Sequence, residues 1–255
     1  HVWATLYISY FDAEAFRRRR LLFLLPVPIA FFVSYRLYLI DPTLFWTLLS
    51  YVAIHHFVSQ HWGFVALYRL RGQERGRFDR ALDKWTLWVG ALGPVLCWHA
   101  SARSFDWFGH GEVFLFSLPP AIRPELYALM GLTALVYLGR QGMHAKAGRF
   151  NVGKNLWMLA SWLSWSLGIG LADHPLVSLA CINLLHGIPF LVLVWARCAD
   201  DPERGGIVGW LVRPRNLWAF LGILFLFALA EEGLWDGLVW GGTYVPALEL
   251  STQTK

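Results

Sequence analysis

The residues best equipped for chemistry are nine histidines, and three of them crowd one apolar stretch. Ser50 to Leu70 carries His55, His56 and His61 with Ser59 and Gln60 between them. An imidazole or carboxamide in apolar surroundings is costly unless it has a partner, a ligand or a function. A second such group is Asn183 with His186, three residues apart and followed by Gly187 and Pro189. A third is the acidic set Glu231, Glu232 and Asp236 in an otherwise apolar run, and His1 opens the chain. Neutral imidazoles together with a carboxylate suit non-haem iron, and also zinc or copper. On this reading His1, His55, His56 and His186 are the metal ligands. Glu231 or Glu232 orients a ligand or moves protons, and Gln60, Asn183 and Asp236 hydrogen-bond around the ligand sphere. Three other chemistries share these residues. They are axial ligation of a haem by two histidines, hydrogen bonding that only holds helices together, and a proton or substrate path.

The elements that position these groups are helices in a membrane. The chain is 255 residues long, 56% hydrophobic and only 15% charged, with mean hydropathy +0.44. That charge content is well below the roughly 25% of a soluble domain. Fifteen Trp and 18 Phe fit interfacial belts. Apolar runs at Leu21–Ile40, Thr43–Tyr68, Trp85–Ala100, Glu125–Gly139, Asn155–Ala172, Pro175–Trp195 and Leu217–Trp240 predict seven helices, several near the roughly 20 residues that cross a bilayer. HVWATLYISY, within residues 1–12, reads as the end of a further helix. Lipid tolerates helices or closed barrels, and period-2 alternation is lacking. The expected architecture is therefore all-α, one polytopic helical bundle over residues 1–255 with about seven spans and an N-terminal partial helix.

Charge in the connections orients the bundle. The Arg17–Arg20 block and the connections after the second, fourth and sixth runs hold 18 of the 22 Lys and Arg. The alternate connections hold almost none, as the positive-inside rule requires. A net charge of +5 set between apolar runs points to a membrane surface rather than nucleic acid. The chain is expected in a bacterial inner membrane, with the lipid bilayer and a lipophilic small molecule as its partners. Cys97, Cys181 and Cys198 are too scattered for a disulfide framework or zinc knuckle, and no signal peptide, phosphate loop or nucleophile elbow is found.

Counting 1.5 Å per residue puts His55 and His56 about 18–20 Å below the outer end of their helix, and His186 roughly 17 Å down its own. Glu231 and Glu232 fall about 14 Å below an outer end, and His1 about 17 Å above the inner surface. These groups share the outer half of a core about 30 Å thick. His61 points away from them. His144 reads as solvated loop, Gly72–Leu82 as a charged surface segment, and Ser101–Pro124 as an interfacial lid. Ser161, Ser164, Ser166, Gly168 and Gly170 read as helix-packing positions.

In HVWATLYISYFD, HHFVSQHWGFVALYR and NLLHGIPFLVLVW the chain resembles a class of bacterial multi-pass membrane proteins. More faintly it resembles the bacteriorhodopsin-related-protein-like (Brp/Blh) carotene dioxygenases, through His1, the pair His56 and Phe57, and His186. That resemblance implies iron held by histidines from several helices and an oxygenase acting on a carotenoid, lipid or other isoprenoid. The three histidine boxes of membrane desaturases are not met. The competing class is a non-enzymatic membrane protein, a transporter or a structural subunit of a complex.

Overall fold

The computed structural model describes residues 2–101, 114–172, 175–200 and 206–238. Among them every regular element is a helix. A short 3₁₀ helix, Val2–Ile8, precedes α1 (Ala13–Leu24) and α2 (Pro26–Ile40). Asp12 caps α1 by accepting the Ala15 N–H at 2.9 Å. α3 (Pro42–Arg71) is 30 residues long, roughly 45 Å at 1.5 Å per residue. Its start is written in Asp41-Pro42: the Asp41 carboxylate accepts the Leu44 N–H at 3.0 Å, and proline suits the first helical turn. Arg69 and Arg71 close it, where cations complement the helix dipole.

α4 (Arg77–His99), α5 (Arg123–Lys146) and α6 (Val152–Trp165) follow. α5 ends on Gly148 with φ +67°, the left-handed turn that glycine adopts freely. Asn151 then caps α6, accepting the Lys154 N–H at 3.1 Å. Beyond Trp165 the helix widens into a π-helical turn, Ser166–Leu171. Then come α7 (Pro175–Ala199), α8 (Gly206–Leu211) and α9 (Leu217–Leu238).

Each of the seven expected runs overlaps helix among the described residues, Leu21–Ile40 falling across both α1 and α2. Four helical segments, Ala13–Ile40, Pro120–Lys146, Val177–Ala199 and Pro214–Gly237, are long and apolar enough to cross a membrane. α3, α4 and α6 are not among them, α6 being only 14 residues long. α3 carries the three histidines and closing arginines, α4 starts with two turns of charged residues, and α6 changes helical form after Trp165. The first of the four, Ala13–Ile40, buries none of its apolar stretch. A helix apolar on all sides is solvated by lipid or covered by other helices.

The chain divides into two compact units, residues 30–186 and residues 1–29 with 187–255. In the first, α3, α4 and α6 with its π turn enclose Ile54, Val58, Val95, Trp98, Trp165 and Ile169, joined by Ile182 of α7. A second layer around Phe64, Val65, Leu87, Tyr137, Trp157 and Met158 extends this core along the same helices. Small residues let the helices approach. A Cβ on Gly90 would lie 2.2 Å from the Trp162 Nε1, and one on Gly168 would lie 3.0 Å from the Cys181 Cβ and 3.2 Å from the Ser178 carbonyl. The Ser164 hydroxyl donates to the Cys181 carbonyl at 2.7 Å. The packing role expected for these serines and glycines is what Ser161, Ser164 and Gly168 perform. The other unit packs Tyr7, Val194, Cys198, Leu211, Phe220 and Leu224.

Candidate functional site

The polar centre of residues 30–186 lies between α3 and α7. His186 is fully buried. Its ring centroid is 5.0 Å from that of His56 and 4.6 Å from that of Phe57, both edge-on. One turn further along α3, Gln60 donates its carboxamide N–H to the His186 carbonyl at 2.7 Å. His56 and Gln60 are four residues apart and therefore share a face, so one stripe of α3 addresses both the ring and the backbone of His186.

His55 turns elsewhere. Successive helical residues are about 100° apart, and its ring lies 5.7 Å from that of Trp88 on α4. His61 is fully buried, with Nδ1 2.8 Å from the Ser161 hydroxyl and its carbonyl accepting the Trp157 indole N–H at 3.1 Å. It ties α3 to α6, as its separate face suggested. Asn183 is exposed.

The acidic residues belong to the other unit. Glu231 accepts the Trp3 indole N–H at 2.8 Å, Glu232 is exposed and Asp236 is buried. His1 and the inner part of the expected Ser101–Pro124 lid, residues 102–113, lie outside the described residues. Among the described residues, no group of three or more His, Cys, Asp or Glu side chains is arranged to hold a metal ion. Two imidazoles from different helices, His56 and His186, are the donors brought together.

Two further polar assemblies had no place in the reading of the sequence. At one end of α3 and α4, the Tyr51 hydroxyl lies 2.5 Å from His99 Nε2, and His99 Nδ1 lies 2.8 Å from the Val95 carbonyl. A carbonyl only accepts, so Nδ1 carries the proton, Nε2 accepts, and Tyr51 donates. The Leu115 N–H donates in turn to the Tyr51 oxygen at 3.3 Å, and Phe114 and Phe116 lie against the His99 ring.

At the other end is a charged network. Arg69 meets Asp83 and, at 3.1 Å, Glu74. Its second nitrogen donates to the carbonyls of Glu74 and Gly76. Lys154 reaches Glu74 at 2.6 Å and Asp83 at 3.3 Å. Arg69, Asp83 and Lys154 are each at most 5% exposed, so this is a buried ion cluster drawn from α3, α4, α6 and the connection between α3 and α4, in which Asp83 Oδ2 takes both cations and Oδ1 has no hydrogen-bond partner among the described residues. Asn151 adds bonds to the Tyr68 carbonyl and to Glu74 at 2.9 and 2.8 Å. Nearby, Arg140 grips Asp79 through two nitrogens at 2.6 and 3.2 Å, with His144 Nε2 3.3 Å away. The Arg140 guanidinium holds the Asp79 carboxyl down at about 2; burial opposes that, and His144 assists. His144, expected in solvent, is buried, because α5 runs on to Lys146. The available signal was three acids, Glu74, Asp79 and Asp83, inside an otherwise basic connection.

Comparison with protein-family models, curated proteins and solved structures finds no match to this chain. The candidate site therefore rests on its own geometry.

Proposed function

We propose that the chain is a seven-span protein of a bacterial inner membrane in which His56 and His186 hold a metal ion, iron first, for oxidative chemistry on a lipophilic substrate. The observation that carries this reading is the approach of those two imidazoles to 5.0 Å between ring centroids, from helices 130 residues apart in sequence. The donor set fits two positions of a metal site. Neutral imidazole is the usual nitrogen ligand for iron, zinc and copper, and the remaining positions fall to donors outside the described residues, to water or to substrate. Bound there, iron would supply the redox chemistry of an oxygenase. The chain's own contribution is to bury His186 completely, to fix its backbone through Gln60 and to shield its ring with Phe57. Apolar helices on either side admit a carotenoid-like or lipid-like molecule from the bilayer. The motif resemblance to carotene dioxygenases supports the same chemistry.

A second reading, a transporter or structural subunit without a cofactor, is favoured by Glu231. Its carboxylate already has a partner in Trp3, and the described residues group no third ligand. One measurement separates the two: metal content of protein purified in detergent after iron-replete expression. Stoichiometric metal that is lost in both His56→Ala and His186→Ala supports the metalloprotein. Folded protein free of metal leaves the cofactor-free reading.

A further inference from the structure

A groove in residues 30–186 runs between α5 and α6. It encloses about 460 Å³ and is lined along α5 from Ala134 to Ala145 and along α6 from Val152 to Trp162. The twelve residues of α5 from Ala134 to Ala145, eleven steps at 1.5 Å each, make it roughly 16 Å long. That is close to half of a hydrocarbon core about 30 Å thick, the depth of one leaflet. Its rims, Leu138 and Leu156, are 62% and 61% exposed, and a Cβ added to Gly142 on its wall would meet nothing within 4 Å.

Two buried polar atoms on this apolar wall lack partners. Gln141 is 3% exposed and gives its carboxamide oxygen to Asn155, but its Nε2 has no acceptor. Thr86, 1% exposed, has an unpartnered hydroxyl. A buried donor without an acceptor is destabilising, so a ligand oxygen at this depth removes a defect.

The groove continues into a polar cleft of about 660 Å³, the two sharing Phe150 and Val152. Its acids are already engaged, Glu74 by Arg69 and Lys154, and Asp79 by Arg140 and His144. Arg71, Arg75 and Arg149 also line it, and none of the three is ion-paired among the described residues. The cleft thus presents three uncommitted guanidiniums, the group best shaped to fork a phosphate. Along α5 the order is apolar wall from Ala134, an unpartnered amide donor at Gln141, then the cleft at His144.

We propose that this groove and cleft bind one anionic diacyl phospholipid of the leaflet on the basic side. One acyl chain lies between α5 and α6, an ester oxygen accepts from Gln141, and the phosphate rests among Arg71, Arg75 and Arg149. The proposal does not depend on the histidine pair.

The test is native mass spectrometry of the full chain reconstituted in nanodiscs containing equal phosphatidylglycerol and phosphatidylcholine, then stripped with detergent. Wild type should retain one phosphatidylglycerol in preference to phosphatidylcholine. Arg75→Gln with Arg149→Gln, both at exposed positions, should weaken that retention roughly tenfold or more and leave phosphatidylcholine unchanged. Gly142→Leu, which fills the groove, should lower retention of both lipids, whereas Leu129→Trp on another part of α5 should not. Equal retention of the two lipids by wild type overturns the proposal even if a variant fails to fold. So does a Gly142→Leu protein that keeps phosphatidylglycerol like wild type. Release by millimolar inorganic phosphate would mark a free-anion site, and displacement by an isoprenyl phosphate a different lipid; either result also overturns it.

Discussion

Gln60 on α3 donates its side-chain N–H to the backbone carbonyl of His186 on α7 at 2.7 Å. This bond sits one turn from the contact between the His56 and His186 rings, and it fixes the height at which α7 meets α3. Gln60→Leu keeps most of the side-chain volume and removes the donor. The expected cost is about 1 kcal/mol, the net worth of one such bond. A detergent thermal melt should show it, and any metal bound at the histidine pair should be held less tightly than in wild type. An unchanged melting temperature together with unchanged metal retention would show that the bond positions nothing.

The buried charges Arg69, Asp83 and Lys154 should be the most sensitive positions in residues 30–186. Removing one member of a buried ion pair leaves the others uncompensated, at about 3–5 kcal/mol. Asp83→Ala leaves two buried cations, Arg69 and Lys154, to share the Glu74 carboxylate, so it should abolish recovery of folded protein or lower its melting temperature more than any surface variant. Arg69→Lys should not rescue, since the ammonium cannot reproduce the fork that meets Asp83, Glu74 and two carbonyls. Full stability of Arg69→Lys in a thermal melt would refute that account.

This network also shows where the sequence was readable. Helix positions followed from apolar runs, and the start of α3 from Asp41-Pro42. The meeting of His56 with His186 was anticipated from depth, since 1.5 Å per residue applies to every helix alike. Depth does not say which faces of two helices meet, and so His55 and Asn183 were grouped with a site from which they turn away. Glu231 shows the same gap: nothing in the local pattern indicates that Trp3, 228 residues earlier, takes its carboxylate. His144 read as solvated loop, and Arg69 was visible only as one more residue of a basic connection. Their acidic partners come from α4 and its leading connection, and pairing across helices leaves no trace in spacing along one.

Asp79 gives the network a pH dependence whose sign is fixed. Arg140 depresses its carboxyl from 3.8 to about 2 in the folded protein, so the carboxylate is stabilised by folding. That contribution is fully present above pH 4 and is lost as the pH falls from about 4 to 2. The pair lies near the surface, where water screens such bridges and their contribution is small. Arg140→Gln should therefore lower the melting temperature slightly at neutral pH. The gap from wild type should close in acid. A gap that persists unchanged at pH 2 would assign the effect of Arg140 to packing over Phe78 instead.

The glycines offer a contrast between close packing and open surface. Gly90 faces the Trp162 indole so closely that a methyl group would sit 2.2–2.5 Å from three ring atoms. That ring is held in place by donating to the Thr86 carbonyl at 3.0 Å. Gly90→Ala must push α4 and α6 apart or break this bond, and overpacking of that kind typically costs about 1–3 kcal/mol. At Gly131 and Gly139 on α5 a new Cβ meets nothing within 4 Å, and alanine is the better helix former by about 1 kcal/mol. Gly131→Ala and Gly139→Ala should leave the thermal melt unchanged or raise it, while Gly90→Ala should lower it clearly. If Gly90→Ala melts like wild type, the approach of α4 to Trp162 is looser than drawn, and the wall at Thr86, which lines the α5–α6 groove beside that ring, has room to move.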